Sequence, residues 1–273
     1  MKEFTLNNGI KIPSVGVGVF RVEDANIAYD MIRTALAVGY RHIDTAMIYG
    51  NEEAVGKAIK DSGVDRKDIF LTTKLWNDDQ RSGKVNEAIE TSLSKLGMEY
   101  VDLYLVHWPV KGTYADVWKK MEKVYENGKA KAIGVSNYNI HHLDDLLEKA
   151  EVIPAVNQIE CYPYFSQENI VRYCREKGIY PEAWGPLGAG QSDILSNQVI
   201  MEIAEKHSKT PAQVVLRWNL QRGVVVIPKS VHENRLKENL DIYNFRLEDD
   251  DMQRICSLNK DLRLGADPDN FNF

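Results

Sequence analysis

The sequence predicts an α/β fold, a single (β/α)8 barrel over residues 1–273, and three observations lead to that prediction. Short β-rich or apolar runs recur eight times along the chain, and a helical pattern follows each run. A glycine ends six of the helical segments, where a left-handed residue is favoured. The length is close to the roughly 250 residues of one such barrel. Alternating strands and helices imply parallel strands with right-handed crossovers, and eight units of this size favour closure.

The predicted elements begin with a hairpin and continue with the eight βα units. Asn8-Gly9 lies between two short alternating runs, which is a strong hairpin signal, and we expect this hairpin to plug one end of the barrel. The eight strand runs lie at residues 15–19, 41–44, 69–74, 101–106, 130–135, 155–159, 179–183 and 224–227. The glycines between a helix and the next strand are Gly39, Gly63, Gly97, Gly128, Gly178 and Gly223.

The C-terminal third of the chain predicts extra helices. Thr210 as N-cap and Pro211 at the first helical position restart a helix, so the seventh connection is expected to hold two helices. A further helix near residues 248–257 and an irregular tail, LGADPDNFNF, close the chain. The alternative fold is an open doubly wound sheet with a G-x-G-x-x-G fingerprint, but Arg21 stands where its third glycine would be.

Composition restricts the class of protein. With 44% hydrophobic and 27% charged residues and no apolar run of about 20 residues, a soluble chain without a membrane span is expected. The N-terminal residues lack an apolar segment and a cleavage site, so we expect a cytoplasmic protein. A net charge of −6 disfavours general nucleic-acid binding.

Cys161, Cys174 and Cys256 are too scattered for a disulfide framework or zinc cluster. We expect a monomer.

Polar and aromatic residues recur where the predicted strands end, and the C-terminal strand ends form the active face of such a barrel. Individually these residues have structural explanations, such as a buried histidine or a packed tryptophan. Their coincidence at one end of the barrel predicts a site there. In chain order they are Asp44, Lys74, His107, Trp108, Ser136, Asn137, Gln158 and Trp184, with Lys229 and Ser230 beyond the eighth strand.

Lys74 has two candidate roles in such a site. A Schiff-base aldolase would need a neutral amine, in an apolar pocket or near another cation. Asp44 favours the opposite state, because a nearby carboxylate keeps the ammonium charged. A charged Lys74 beside Tyr49 would lower the pKa of the phenol from about 10 and make it a stronger acid. His107 could then orient a carbonyl or share the proton, and it has no partner at metal-ligand spacing, so no metal is expected.

Six motifs in register resemble the signatures of the aldo-keto reductase family, over essentially the whole chain. They are GYRHIDTAMIYGNEEAVG, TKLW, VDLYLVHWP, GVSNY, NQIECYP and VIPKSVHENRLKENL. The chain is most similar to bacterial reductases of 2,5-diketogluconate and of glyoxal or methylglyoxal. The resemblance implies an NADPH-dependent oxidoreductase that passes the pro-R hydride to aldehydes, ketones and keto sugars. The alternative is a sensor or scaffold that binds NADPH without turnover, which the intact set of chemical residues disfavours.

The resemblance also implies a role for each position. Tyr49 is the general acid, Lys74 and Asp44 tune it, and His107 orients the carbonyl. For the cofactor, the nicotinamide carboxamide is implied to bind Ser136, Asn137 and Gln158, and its ring to stack on Trp184, with Leu187 as a further cofactor residue. The 2′-phosphate is implied to bind Lys229, Ser230 and Arg235, and the adenine to lie near Glu238 and Asn239.

The substrate pocket is expected to lie between aromatic residues and the tail, namely Phe20, Trp76, Trp108, Asn270 and Phe271. Two departures from the family pattern stand out. Gly185 occupies a position where members often have serine, which puts one cofactor contact in doubt. The loop after His107 is shorter than in the larger reductases, which suggests a more open pocket.

Overall fold

The protein, in a computed structural model that describes residues 2–273, is built around an eight-stranded parallel sheet. The strands are β1 (Glu3–Thr5), β2 (Lys11–Pro13), β3 (Val17–Gly18), β4 (His42–Asp44), β5 (Phe70–Leu75), β6 (Leu103–Val106), β7 (Ile133–Ser136), β8 (Val156–Glu160), β9 (Tyr180–Trp184) and β10 (Val225–Val226). From β3 to β10 each strand pairs with the next in the chain. A parallel bridge from Val15 to Val226 joins the two ends and closes the barrel, which confirms the predicted fold class.

The N-terminal hairpin covers the amino end of the barrel. β1 and β2 pair antiparallel, and the turn is closed by hydrogen bonds from Leu6 N to Ile10 O (2.8 Å) and Gly9 N to Leu6 O (2.9 Å). Gly9 takes a φ of +86°, as a three-residue hairpin loop requires. Leu6 and Ile12 pack against first residues of the barrel strands, including Phe70 and Leu103. The predicted plug is therefore confirmed.

Helices surround the barrel between successive strands. They are α1 (Ala25–Ala37), α2 (Glu52–Asp61), α3 (Asn77–Ser82), α4 (Val85–Leu96), α5 (Tyr114–Glu126), α6 (Ile140–Leu147), α7 (Glu168–Glu176), α8 (Gln198–His207), α9 (Pro211–Gln221), α10 (Glu233–Leu240) and α11 (Asp249–Cys256). The seventh connection holds both α8 and α9, as predicted. Thr210 Oγ1 accepts a hydrogen bond from Gln213 N at 3.3 Å and so caps α9, with Pro211 at its first position.

The glycines predicted to end helices all adopt the left-handed conformation, with φ between +63° and +112°. This region is costly for other residues, so the glycines fix where each helix stops and the next strand begins. The observed strands start and end within three residues of the predicted runs. In residues 2–273 no helix is long and apolar enough to cross a membrane. Cys161 and Cys174 are buried free thiols, while Cys256 is exposed.

Candidate active site

The carboxyl ends of the barrel strands bring the predicted chemical residues to one face. Asp44, Ser136 and Trp184 are the last residues of β4, β7 and β9. Lys74 is the penultimate residue of β5, and His107 directly follows β6. Because neighbouring parallel strands end at the same edge, side chains far apart in the chain meet here.

A buried ion pair forms the centre of this face. Lys74 Nζ lies 2.6 Å from Asp44 Oδ1 and donates a second hydrogen bond to the carbonyl of Thr45 at 2.9 Å. The two side chains are 0% and 3% exposed. Burial opposes the charge on Lys74, but Asp44 and Tyr49 outweigh burial and raise the pKa of Lys74. Lys74 is therefore an ammonium at neutral pH, which argues against the Schiff-base role.

Tyr49 reaches the same point from a short 3-10 helix, Met47–Tyr49, that follows β4. Its hydroxyl lies 3.5 Å from Lys74 Nζ, and its ring contacts His107 edge to face at 5.7 Å between centroids. Burial raises the pKa of Tyr49, and the Lys74 charge lowers it by less, so the net pKa is raised. Lys74 thus acts on the pKa of Tyr49 in the predicted direction, but burial outweighs it. Tyr49 keeps its proton at neutral pH, as a proton donor must.

His107 stands between Tyr49 and Trp76, whose ring it meets at 5.2 Å and 76°. Burial, and after it the charge of Lys74, holds the pKa of His107 well below its normal value. The imidazole is therefore neutral at pH 7 and carries one N–H. Such a ring can donate a hydrogen bond to a carbonyl oxygen without adding a charge to the site.

Gln158 on β8 connects the ion pair to a second buried carboxylate. Its Nε2 donates to Asp44 Oδ2 at 2.8 Å and to Glu182 Oε2 at 2.7 Å. Sequence reasoning missed Glu182, and it missed His42, whose Nε2 lies 3.5 Å from Glu182 Oε1. The available signal was an acidic residue inside the predicted strand run IYPEA, where the barrel interior is otherwise apolar.

The predicted nicotinamide residues form one hydrogen-bonded group beside Gln158. Ser136 Oγ donates to the backbone carbonyl of Gln158 at 2.9 Å, and Asn137 Nδ2 donates to Ser136 Oγ at 3.1 Å and to the backbone carbonyl of His107 at 3.0 Å. Trp184 Nε1 donates to Asn137 Oδ1 at 2.8 Å. Asn137 takes a φ of +65°, a conformation that asparagine tolerates better than most residues. The structure thus brings all four predicted residues together.

Aromatic rings border the opening above Tyr49. Phe20 packs on Tyr49 at 5.0 Å and is 53% exposed. Trp108 contacts Phe271 at 5.3 Å and Phe273 at 5.2 Å between ring centroids. Trp76 stacks on Phe273 at 5.8 Å with only 6° between the planes. Phe273 was not among the predicted substrate residues, yet it bridges two of them, Trp76 and Trp108.

The tail that carries these rings is held by side chains from α3. Asn77 Nδ2 and the Arg81 guanidinium donate to the Phe273 backbone oxygen at 3.1 and 2.7 Å. Asn270, which was predicted to border the pocket, instead donates from Nδ2 to Asp267 Oδ2 at 3.0 Å, within the tail. The structure therefore places the Asn270 amide in the local turn that shapes the tail.

A second group of predicted residues lies where β10 leads into α10. Lys229 and Arg235 are exposed, and neither cation forms a salt bridge within residues 2–273. Ser230 Oγ accepts a hydrogen bond from His232 N at 3.1 Å, just before the helix begins. Two unpaired cations beside a helix N-terminus suit a phosphate group. On the same helix Glu238 is exposed, whereas Asn239 is buried.

Gly185 and Leu187 lie in the loop after β9. Gly185 has a φ of +58°, in the left-handed region that disfavours a serine side chain. Glycine thus meets a backbone requirement at this departure from the family pattern. Leu187 is half-buried and packs against two parts of the hydrophobic core, which fixes the loop beside Trp184.

The structure is a closed parallel barrel with a buried lysine–carboxylate pair, a protonated tyrosine and a neutral histidine at its carboxyl face. These features define a class of barrel enzymes that can protonate an oxygen. The profile of the Aldo/keto reductase family matches residues 14–260. The chain is 51% identical to a glyoxal reductase of Bacillus subtilis (strain 168), over 98% of this chain and 96% of that protein. It is 44% identical to the methylglyoxal reductase DkgA of Escherichia coli (strain K12), over 97% and 96%.

A solved structure of an aldo-keto reductase, MGS-M4 from a Medee basin deep-sea metagenome library, superimposes with a TM-score of 0.95 at 46% identity. The alignment covers 99% of this chain and 100% of that one. This chain belongs to the aldo/keto reductase family and is an oxidoreductase that acts on carbonyl compounds.

Proposed function

We propose that this enzyme reduces aldehydes and ketones to alcohols with NADPH, and that Tyr49 is the general acid. The observation that carries the proposal is the Tyr49 hydroxyl at 3.5 Å from a buried, charged Lys74. A protonated phenol next to an ammonium can give up its proton as negative charge develops on a carbonyl oxygen. The ammonium then stabilises the phenolate that remains.

The residues present fit a nicotinamide cofactor. Gln158 Oε1 makes no hydrogen bond within the part of the chain that the structure describes, so it is a free acceptor for a carboxamide N–H. The Trp184 ring would stack on the nicotinamide, and Lys229 with Arg235 would hold the 2′-phosphate. When bound, the reduced nicotinamide supplies the hydride that the carbonyl carbon takes up.

The chain's own residues supply the rest of the reaction. His107 donates an N–H to the carbonyl oxygen and orients it toward Tyr49. The Tyr49 Oη–H bond breaks as the oxygen of the substrate takes the proton, so the product is the neutral alcohol. The aromatic rings of Trp76, Trp108 and Phe273 exclude water from one side of the pocket. Excluding water strengthens the effect of Lys74 on Tyr49.

The substrate class follows from the pocket and from the relatives. Aromatic walls accept many small carbonyls, and one methylene in such a pocket changes binding by about 1 to 3 kcal/mol. We therefore propose broad activity on small carbonyls, with methylglyoxal and glyoxal among them because the relatives carry the names of glyoxal and methylglyoxal reductases. Keto sugars are included because the family resemblance of the sequence implies them.

The direct experiment follows NADPH oxidation with a panel of methylglyoxal, glyoxal, nitrobenzaldehyde and keto sugars. The proposal predicts turnover with several of them. Tight NADPH binding without turnover on any carbonyl would instead favour the sensor or scaffold alternative.

Arg235→Ala should raise the KM for NADPH about tenfold or more and leave the KM for NADH nearly unchanged. The guanidinium would contact only the 2′-phosphate, and charge-assisted hydrogen bonds are worth about 1.5 to 3 kcal/mol. Lys237→Ala is the matched control, since Lys237 lies on the same helix but pairs with Glu233 at 2.6 Å. Steady-state kinetics with both cofactors checks this, and equal effects on NADPH and NADH would refute the phosphate role.

We also propose that residues 1–273 form one domain that acts as a monomer. The tail packs on the barrel, where Leu264 N donates to Glu160 Oε1 at 2.6 Å, and the hairpin covers the other end. A single unfolding transition and a monomeric mass by light scattering would support this, and two separate transitions or a dimer mass would contradict it.

A further inference from the structure

The Gln158 amide is fixed between two carboxylates. Its NH2 group faces Asp44 Oδ2 at 2.8 Å and Glu182 Oε2 at 2.7 Å, so each hydrogen has its own acceptor. A flipped amide would place its oxygen against the charged Asp44. Two acceptors in different directions set both the position of the nitrogen and the plane of the amide. The carbonyl oxygen, Oε1, is thereby left as the group that points to a ligand.

Glu182 faces His42 at the base of the network. Glu182 Oε1 and His42 Nε2 lie 3.5 Å apart, both side chains are 0% exposed, and neither atom has a hydrogen-bond partner within residues 2–273. His42 Nδ1 lies 3.3 Å from the Pro13 carbonyl, which can only accept, so Nδ1 carries the ring proton. In a neutral ring Nε2 is then an acceptor, so a proton between the two atoms has to come from Glu182.

The charges around this pair agree with that assignment. The groups facing Glu182 are Asp44 and Lys74, besides His42 and the Gln158 amide. Burial, and after it the charge of Asp44, raises the pKa of Glu182 to about 8. Burial lowers the pKa of His42 to about 4. At pH 7 the pair is a neutral acid and a neutral imidazole.

We propose that Glu182, protonated and facing His42, is a positioning residue that holds the Gln158 amide with Oε1 toward the nicotinamide carboxamide. This inference rests on the proposed cofactor site and adds a residue to it, because Glu182 acts from inside the barrel without touching the cofactor. Asp44 alone would hold one amide hydrogen and leave the group free to rotate. With Glu182 in place the amide selects one orientation of the carboxamide, and so one face of the ring.

Glu182→Leu should weaken NADPH binding about tenfold and let hydride leave from both faces of the ring. Loss of one buried hydrogen bond, about 1.4 kcal/mol, corresponds to tenfold in affinity. NADPH fluorescence titration gives the affinity. Deuterium transfer from each C4-deuterated NADPH stereoisomer shows from which face of the nicotinamide ring the hydride leaves. A residue that contributes only to stability would not change that face.

Glu182→Gln should restore the affinity to within twofold of the parent. Its carbonyl can accept from Gln158 while its NH2 donates to His42 Nε2, which reproduces the pattern of the protonated acid. The matched control is Glu122→Leu, which removes a buried carboxylate that accepts from Glu151 N and Val152 N at 2.8 Å on the outside of the barrel. This control should lower stability and leave NADPH affinity unchanged.

A pH series keeps the test decisive if Glu182→Leu does not fold. As pH rises from 7 to 9, Glu182 ionises in the parent, and its Oε1 then faces the lone pair of His42 Nε2 with no proton between them. The repulsion should displace the carboxylate and loosen the Gln158 amide, so NADPH affinity should fall relative to Glu182→Gln, which cannot ionise. Parent-like affinity and a single hydride face in Glu182→Leu, or equal pH profiles for the parent and Glu182→Gln, would overturn the proposal. These readouts do not use Tyr49, so the general-acid assignment can fail or stand independently.

Discussion

Tyr49→Phe is expected to lower kcat/KM for every carbonyl substrate by about 100- to 10,000-fold, the usual contribution of a general acid. The phenyl ring keeps the packing against Phe20 and His107 but has no proton to give. The NADPH affinity should stay within twofold of the parent, because the cofactor residues lie on other strands. The loss should therefore appear in the chemical step.

Steady-state rates together with NADPH titration check this prediction. Tyr40→Phe is a suitable control, since it also removes a buried hydroxyl, one that donates to the Leu236 carbonyl at 3.1 Å. That variant should lose stability rather than catalysis. Undiminished turnover in Tyr49→Phe would refute the assignment of the acid.

Lys74→Met is expected to lower kcat/KM by on the order of 100-fold or more, while NADPH still binds. Burial already raises the pKa of Tyr49, and the ammonium is the group that counters burial. Each unit of pKa corresponds to about 1.4 kcal/mol. Without Lys74, the phenolate that forms on proton transfer would lie in a buried site with Asp44 as an uncompensated charge.

The same variant should also lose stability, because removing one partner of a buried ion pair costs about 3 to 5 kcal/mol. The control is Lys74→Met with Asp44→Asn, which removes the stranded carboxylate and keeps an amide near Gln158. We expect thermal denaturation to show much of the stability recovered, with activity still low. Recovery of near-normal turnover in that double variant would show that the ammonium is not needed for catalysis.

Most of the fold could be predicted from local sequence signals. Strand runs and helix-ending glycines such as Gly97 and Gly223 are set by backbone preferences within a few residues, and the observed elements follow them. The arrangement of Lys74, Asp44 and Gln158 was also predictable, because the barrel brings strand ends together. Their roles came from the resemblance and stay predictions for experiment.

Other features depend on contacts that no local pattern encodes. Phe273 reaches Trp76 and Trp108 because Asn77, 196 positions earlier, holds its backbone oxygen. The net effect on the pKa of Tyr49 depends on how deeply the folded chain buries the ring, which spacing does not reveal. Glu182 faces His42 across the barrel interior, so the surroundings that raise its pKa could not be recognised before the folded neighbours were in place.

The central claim is that Tyr49 and Lys74 act as one proton-donating unit, and a double-variant cycle tests it most directly. Residues that act as a unit give non-additive losses. The measurement is kcat/KM for methylglyoxal with NADPH in Tyr49→Phe, Lys74→Met and the two combined. The account predicts that the combined variant loses no more than about threefold beyond Tyr49→Phe alone. A combined loss equal to the product of the two single losses would show that Lys74 acts independently of Tyr49 and would contradict the account.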